Sequence, residues 1–340
     1  LTVTILKGDC REVLRTLPDE SVHCVVTSPP YFGLRDYGVA GQIGLEPTPD
    51  AFVAELVAVF SEVHRVLRVD GTLWLNLGDS YARDSGKGQH KPGDSGKQNY
   101  IIERGNGRAS VQIDLRSETQ GSSDGKVGRG ARAAVRNGGS SLKPKDLIGI
   151  PWMVAFALRA DGWYLRQDII WSKPNPMPES VQDRCTKAHE YLFLLSKSER
   201  YHYDAAAIAE ASAYPGDNRA SRPDTRKAID PMCMDGGSRA RTGNPIGDTR
   251  NRRSVWEVTT APFSEAHFAT FPPALIEPCI LAGCPKGGVV LDPFGGAGTT
   301  GLVADRLGRD AILIELNPEY AAMAERRIKN DAGMFAEVTA

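Results

Sequence analysis

Gly288-Val289-Val290-Leu291-Asp292-Pro293-Phe294-Gly295-Gly296-Ala297-Gly298-Thr299-Thr300 decides how this 340-residue chain is read. A buried apolar strand ends in an acid, a glycine turn lets a ligand approach the backbone, and a helix starts on threonines. A second strand, 311–316, carries Glu315 roughly 20 residues downstream, where a carboxylate can accept both hydroxyls of a ribose. The spacing is that of a nucleoside-cofactor site. The glycines run G-G-A-G, so this is not the G-x-G-x-x-G dinucleotide fingerprint, and no Gly-Lys pair stands in a P-loop context. The plainer alternative is a glycine turn that only permits tight packing.

Outward from this stretch, strands alternate with helices. Helices are expected over 299–307 and 318–328, the second opening on Pro318. Residues 21–26 form a β-branched run stopped by Pro29 and Pro30. Asp50 can cap a helix with an apolar face at Phe52, Leu56, Val59, Phe60, Val63, Val66 and Leu67, ending at Asp70-Gly71. Strands follow at 72–77, 165–171 and 191–195, and helices at 151–159 and 273–281. The expectation is an α/β fold built on a mostly parallel sheet with helices on both faces. Ligands of such sheets sit at the carboxyl ends of the strands.

A second suggestive segment lies at such an end: Thr27-Ser28-Pro29-Pro30-Tyr31. Two prolines fix the backbone and offer carbonyls with no N–H, while Ser28 adds a side-chain acceptor. Paired acceptors suit a planar NH₂ group, whose protons they hold while its lone pair turns out of conjugation. Tyr31 offers an aromatic face on which a base could stack. Alone, the segment is also an ordinary proline turn after a strand. Beside the glycine turn it reads as a site.

Charge is distributed unevenly. The chain has 41 Lys+Arg against 42 Asp+Glu, a net −1, with 41% hydrophobic residues, 35 glycines and six cysteines. That composition excludes a disordered chain and a disulfide scaffold, and no apolar run approaches the roughly 20 residues of a membrane span. A neutral sum would argue against a nucleic-acid partner. Yet residues 84–145 hold twelve bases against six acids, and residues 212–253 nine against five, leaving −11 on the rest. Both stretches are glycine-rich, as solvated loops often are. They are equally well placed to meet phosphates.

The S-P-P-Y and D-P-F-G-G-A-G-T-T segments together resemble the S-adenosylmethionine-dependent amino-methyltransferases of DNA modification systems. Catalytic motif first and cofactor motif last is the circularly permuted order of their β class. Gly8-Asp9-Cys10, Ile314-Glu315-Leu316-Asn317 and His267-Phe268-Ala269-Thr270-Phe271-Pro272 add to the likeness. The resemblance implies a Rossmann-like methyltransferase fold and S-adenosylmethionine as cofactor. Asp9 would contact its adenine, Glu315 its ribose and Phe271 its methionine end. Asp292, Phe294, Gly295, Gly296, Gly298, Thr299 and Thr300 would form the floor. Ser28, Pro29, Pro30 and Tyr31 would hold and stack the acceptor base after its extrusion from double-stranded DNA. Neither a metal nor a covalent intermediate is called for.

The implied organisation is a catalytic half at 1–83 and 146–211, a basic insertion at 84–145 whose role is open, a target-recognition region at 212–253, and a cofactor half at 254–340. Arg219, Arg222, Arg226, Arg239, Arg241, Arg250 and Arg252 are the candidate DNA contacts. A serine in the first motif position favours cytosine N4; the alternative is adenine N6. RNA or protein-amide methylation, a DNA-binding protein with a relic pocket, and a nicotinamide oxidoreductase are the competing readings. A cytoplasmic protein of bacterial, archaeal or phage origin is expected, monomeric or homodimeric, with a restriction endonuclease as partner and no membrane association. Cys279, although it follows Pro278, sits in an expected helix and reads as packing. His189-Glu190 lacks the second histidine of a zinc helix and reads into a strand.

Overall fold

The structure, a computed structural model, describes residues 1–34, 36–82, 142–212, 248–260, 271–332 and 337–339. In chain order the strands are β1 (Thr2–Lys7), β2 (Val22–Thr27), β3 (Leu67–Leu77), β4 (Tyr164–Ser172), β5 (His189–Ser196), β6 (Glu210–Ala211), β7 (Thr249–Arg250), β8 (Val255–Glu257), β9 (Val289–Asp292), β10 (Asp310–Glu315) and β11 (Glu337–Thr339). The helices are α1 (Cys10–Val13), α2 (Pro49–Val66), α3 (Ile150–Ala160), α4 (Pro273–Gly283), α5 (Thr299–Arg306) and α6 (Pro318–Ala332). Nine strands form one sheet in the order β11-β1-β10-β9-β2-β3-β5-β4-β8. Among the described residues only β5 runs against its neighbours in that sheet. The expected α/β architecture is therefore present, with one antiparallel strand that periodicity could not reveal.

Alternation along each strand explains the two layers. Val25, Leu73, Leu75 and Leu77 pack with Phe52, Leu56 and Phe60 of α2 and Val154 and Leu158 of α3 on one face. Cys24, Val26 and Trp74 pack with Leu275 and Ile276 of α4, Leu302 of α5 and Ile328 of α6 on the other. Successive side chains of a strand point to opposite faces, so one strand feeds both cores. Cys279 is fully buried in the second core, where burial pushes its thiol up. Among the described residues no helix is long and apolar enough to cross a membrane.

Two expectations are displaced. Helix α2 is capped by Thr48, whose hydroxyl accepts from Ala51 N at 3.1 Å, with Pro49 in its first turn; Asp50 sits inside the helix. A Thr-Pro pair supplies both the oxygen and the preset φ that a helix start needs, and it outranks the acid that follows. The helix also ends at Val66 rather than Asp70, because Leu67 is already extended and pairs with Val22 before the ladder slips to Cys24 against Thr72.

The chain leaves β9 towards β10 on one side, while it leaves β2 towards β3 on the other. The β2/β9 boundary is thus the switch point of the sheet, where a crevice opens at the carboxyl ends. Segments 1–82 and 271–332 share this seam, so the two motifs meet although 265 positions separate Thr27 from Asp292.

Candidate active site

Asp292 closes the seam. Its Oδ1 accepts from Thr27 Oγ1 at 2.6 Å and from Phe294 N at 3.0 Å, and its Oδ2 from Thr300 Oγ1 at 2.6 Å. Only 1% of it is exposed, and burial pushes the carboxyl up to about 6 despite the three donors. One carboxylate joins β2, β9 and α5. It shapes the floor of the crevice from below.

The glycine turn lies on that floor. Gly295 N donates to Ile314 O at 2.8 Å, pinning the turn against β10. Gly298 caps α5 with φ +77°, and a Cβ there would stand 2.8 Å from Ala324 Cβ of α6. Only glycine satisfies both constraints. Thr299 is buried and accepts from Arg327 at 2.9 Å, and Phe294 packs on the first core. Glu315, at the end of β10, accepts from Gly296 N at 2.7 Å with one oxygen and from Asn317 N at 2.8 Å with the other. Burial raises its carboxyl, while the backbone donors oppose the rise. Each oxygen keeps a lone pair.

Lys7 pairs with Glu315 in the β1/β10 ladder, and Gly8 N donates to Glu315 O at 3.0 Å, which brings Asp9 alongside. Asp9 caps α1 and is gripped by the Arg11 guanidinium, which holds its carboxyl below the usual range. Arg11 in turn reaches Glu55 and Gly41 O. Phe271 packs on the second core just before α4. Residues 267–270 lie outside the described residues. Asp9, Glu315, the glycine turn and Ser28 therefore follow four neighbouring strands, β1, β10, β9 and β2, along one edge of the sheet.

Beyond Ser28 the edge continues through groups that sequence reasoning missed. The Tyr31 ring lies against the backbone of Gly78, where a Cβ would come within 2.5 Å of it. The Tyr31 hydroxyl donates to Glu190 Oε2 at 2.7 Å, with Asn76 Oδ1 at 3.3 Å. Asn76 is 2% exposed; its amide donates to Tyr191 O at 3.1 Å and to Glu190 at 3.3 Å. Lys173 pairs with the other oxygen of Glu190 and stands 4.2 Å from the centre of the Trp171 ring. Burial and the Glu190 charge push the Tyr31 phenol well up. Because β5 is antiparallel, its first residues meet the carboxyl ends of β3 and β4, which places Glu190 here. A carboxylate and an amide inside the apolar runs H-E-Y-L-F-L-L and L-W-L-N-L were the available signal.

Of the candidate DNA contacts, Arg219, Arg222, Arg226, Arg239 and Arg241 lie outside the described residues, as does nearly all of 84–145. Arg250 pairs with Glu210 at 3.4 Å beside the β6/β7 ladder. Arg252 stacks 4.6 Å over the ring of Trp256, itself buried in the second core. Both precede β8, and both are engaged by the fold. Three other cations stand at the catalytic edge: Lys173, Arg184, which lies 4.0 Å over Tyr81, and Lys187, whose ammonium donates to Asp79 O at 2.6 Å.

Comparison with known proteins bears on this geometry. A family described as DNA methylase, covering N6 and N4 enzymes, matches residues 22–326. The type II methyltransferase M.XycI of Xanthomonas campestris pv. cyanopsidis is 46% identical over 337 residues, spanning 99% of this chain and 91% of that protein. Among solved structures, the cytosine-N4-specific PvuII DNA methyltransferase aligns with a TM-score of 0.58 at 18% identity, over 97% of this chain and 93% of that one. A putative DNA modification methylase of Thermus thermophilus, complexed with S-adenosyl-L-methionine, aligns with a TM-score of 0.55 at 23% identity, over 99% and 100% of the two chains. The sheet described above is the Rossmann-like fold of those enzymes.

Proposed function

The chain belongs to the DNA methylase family and is a DNA amino-methyltransferase, and we propose that it methylates N4 of cytosine through Ser28-Pro29-Pro30-Tyr31. The observation that carries the site assignment is the Thr27–Asp292 hydrogen bond, which sets the acceptor motif against the glycine turn. Ser28 carries the choice of base through the family resemblance alone: serine in the first motif position is the more frequent form among cytosine-N4 enzymes, and aspartate among adenine-N6 enzymes. Adenine N6 is the competing product.

The residues present fit S-adenosylmethionine. Glu315 retains acceptor capacity on both oxygens for a ribose diol and ends β10 beside the glycine turn, to which Gly296 N ties it. Asp9, Phe271, Phe294 and Glu315 would line its site, above the floor made by Asp292, Gly295, Gly296, Gly298, Thr299 and Thr300. When bound, the group supplies an electrophilic methyl carried on a sulfonium. Extrusion of the base costs a few kcal/mol, offset by stacking and by the acceptors that receive it. Ser28 Oγ and the Pro29 carbonyl hold the two amine protons, and Tyr31 covers the ring. With its protons held out of the ring plane, the amine nitrogen presents its lone pair, and the rate gain is chiefly one of orientation. The arginines of 212–253 that precede Thr249 would supply phosphate contacts, and the cognate partner would be a type II restriction endonuclease.

Mass spectrometry of nucleosides from DNA treated with the purified protein tests the base: N4-methylcytosine is expected, and N6-methyladenine alone would transfer the assignment to adenine. A second test uses Gly78→Ala, whose Cβ would strike the Tyr31 ring. Methyl transfer should fall at least about tenfold, because displacements near 1 Å at a reacting centre carry penalties of that order or more. Cofactor binding should be retained, since Gly78 lies on the far side of Ser28 from the glycine turn.

A further inference from the structure

We propose that Glu190 is a positioning residue: with Asn76 it clamps the Tyr31 hydroxyl and so fixes the ring against which the extruded base is held. The inference rests on the reading of Tyr31 as the stacking face given above.

A stacking face contributes most when its ring is already in place as the base arrives. Tyr31 lies outside the sheet, in the loop that follows β2, and is partly exposed. Pro29 and Pro30 stiffen the chain that leads to it, but a tyrosine still turns about two side-chain bonds beyond its Cα. The far end of the ring removes that freedom. Its hydroxyl donates to Glu190 Oε2 at 2.7 Å, with Asn76 Oδ1 at 3.3 Å. With Cα and hydroxyl both held, the long axis of the ring is set, and only rotation about that axis remains. Gly78 limits the rotation: a Cβ there would stand 2.5 Å from Cε2 and 3.0 Å from Cδ2 of the ring. Gly78 and Glu190 each lie one residue past the last pair of the β3/β5 ladder, Leu77 with Tyr191, so one end of that ladder supplies both wall and anchor.

The anchor is itself held. Lys173 pairs with the other oxygen of Glu190, and the Asn76 amide donates to Glu190 Oε2 at 3.3 Å and to Tyr191 O at 3.1 Å. Neither acceptor can turn from the phenol without abandoning one of these partners in a largely buried place. Burial and the Glu190 charge push the phenol well up, so the donor keeps its proton.

Glu190→Ala removes the anchor and should lower the single-turnover rate at saturating duplex DNA about tenfold, with affinity for S-adenosylmethionine nearly unchanged. Glu190→Gln keeps a hydrogen-bonding group at the same reach and should stay within about threefold of wild type. Tyr31→Phe keeps the ring and deletes the hydroxyl, and its rate should fall as far as that of Glu190→Ala. Adding Glu190→Ala to Tyr31→Phe should cost less than about a further twofold, because nothing remains to clamp. Glu190→Ala also leaves Lys173 without its carboxylate, so each variant is assayed well below its melting temperature and the decision rests on the Tyr31→Phe background. A Glu190 that only braced the fold would cost its full factor again in that background, and one that acted by its charge would leave Glu190→Gln as slow as Glu190→Ala. Either result overturns the proposal, as does a wild-type rate in Glu190→Ala. A wild-type rate in Tyr31→Ala would overturn both this inference and the stacking face on which it rests. Loss in Tyr31→Ala with a wild-type rate in Tyr31→Phe would overturn this inference alone.

Discussion

Exchanging Asp292 for asparagine should remove a pH dependence of about 3 kcal/mol from the stability of the fold. The buried carboxyl titrates at about 6 against an ordinary 3.8, burial outweighing the donors from Thr27, Thr300 and Phe294. Between those values the folded chain binds a proton that the unfolded chain has released. The stability this confers is complete below about pH 4 and is lost as pH rises through about 6. Asparagine keeps the shape and at least two of the three bonds but has no proton to exchange. Wild type should therefore gain on Asp292→Asn as pH falls from 7 to 4, and the variant should be no less stable than wild type at pH 7. Asp292→Ala behaves differently, since it orphans the Phe294 amide and the Thr27 hydroxyl at every pH, at about 1–3 kcal/mol each. Urea unfolding of the three proteins between pH 4 and 7.5 checks both statements. Parallel curves for wild type and Asp292→Asn would show that Asp292 folds with its ordinary acidity. Comparing the two proteins also cancels Glu315, whose carboxyl is raised in the same direction.

The two motifs were legible in the sequence because glycine and proline act locally. G-G-A-G and S-P-P specify backbone conformations whatever surrounds them, and a strand before each places them at the carboxyl edge. The spacing to Glu315 was legible for the same reason: one strand–helix–strand unit has a nearly fixed length. Glu190 was not legible. Its role depends on β5 being antiparallel, which inverts the end of the strand that meets the crevice, and strand direction leaves no periodic trace. Arg250 and Arg252 show the opposite limit. Charge singled them out, but Glu210 and Trp256, the residues that engage them, are brought to them by tertiary pairing of β6 with β7 and of β8 with β4. A count of bases finds electrostatic potential; it does not say which guanidinium is already taken.

Ser28→Ala should reduce methyl transfer to DNA by about 10²- to 10³-fold while leaving the fold and cofactor binding in place. That is the loss usually found when one preorganised polar group is withdrawn from the atom whose charge changes. Ser28 is only partly buried and follows the last residue of β2, so its hydroxyl can be removed without opening the core, whereas Thr27 beside it is fully buried and holds Asp292. The two neighbours make a controlled pair. Thr27→Ala should cost stability through the seam, and activity only in proportion to the fraction unfolded. Ser28→Ala should cost kcat and leave the urea midpoint unchanged. Tyr31→Ala combines both effects, since it withdraws the stacking face and leaves Glu190 and Asn76 without their phenol donor. Its loss of transfer should equal or exceed that of Ser28→Ala, and its melting temperature should drop as well. Single-turnover methylation of duplex DNA, read beside equilibrium binding of S-adenosylmethionine, separates the cases. Wild-type turnover by Ser28→Ala would remove the acceptor role from the S-P-P-Y serine and leave the amine to the proline carbonyls of the motif.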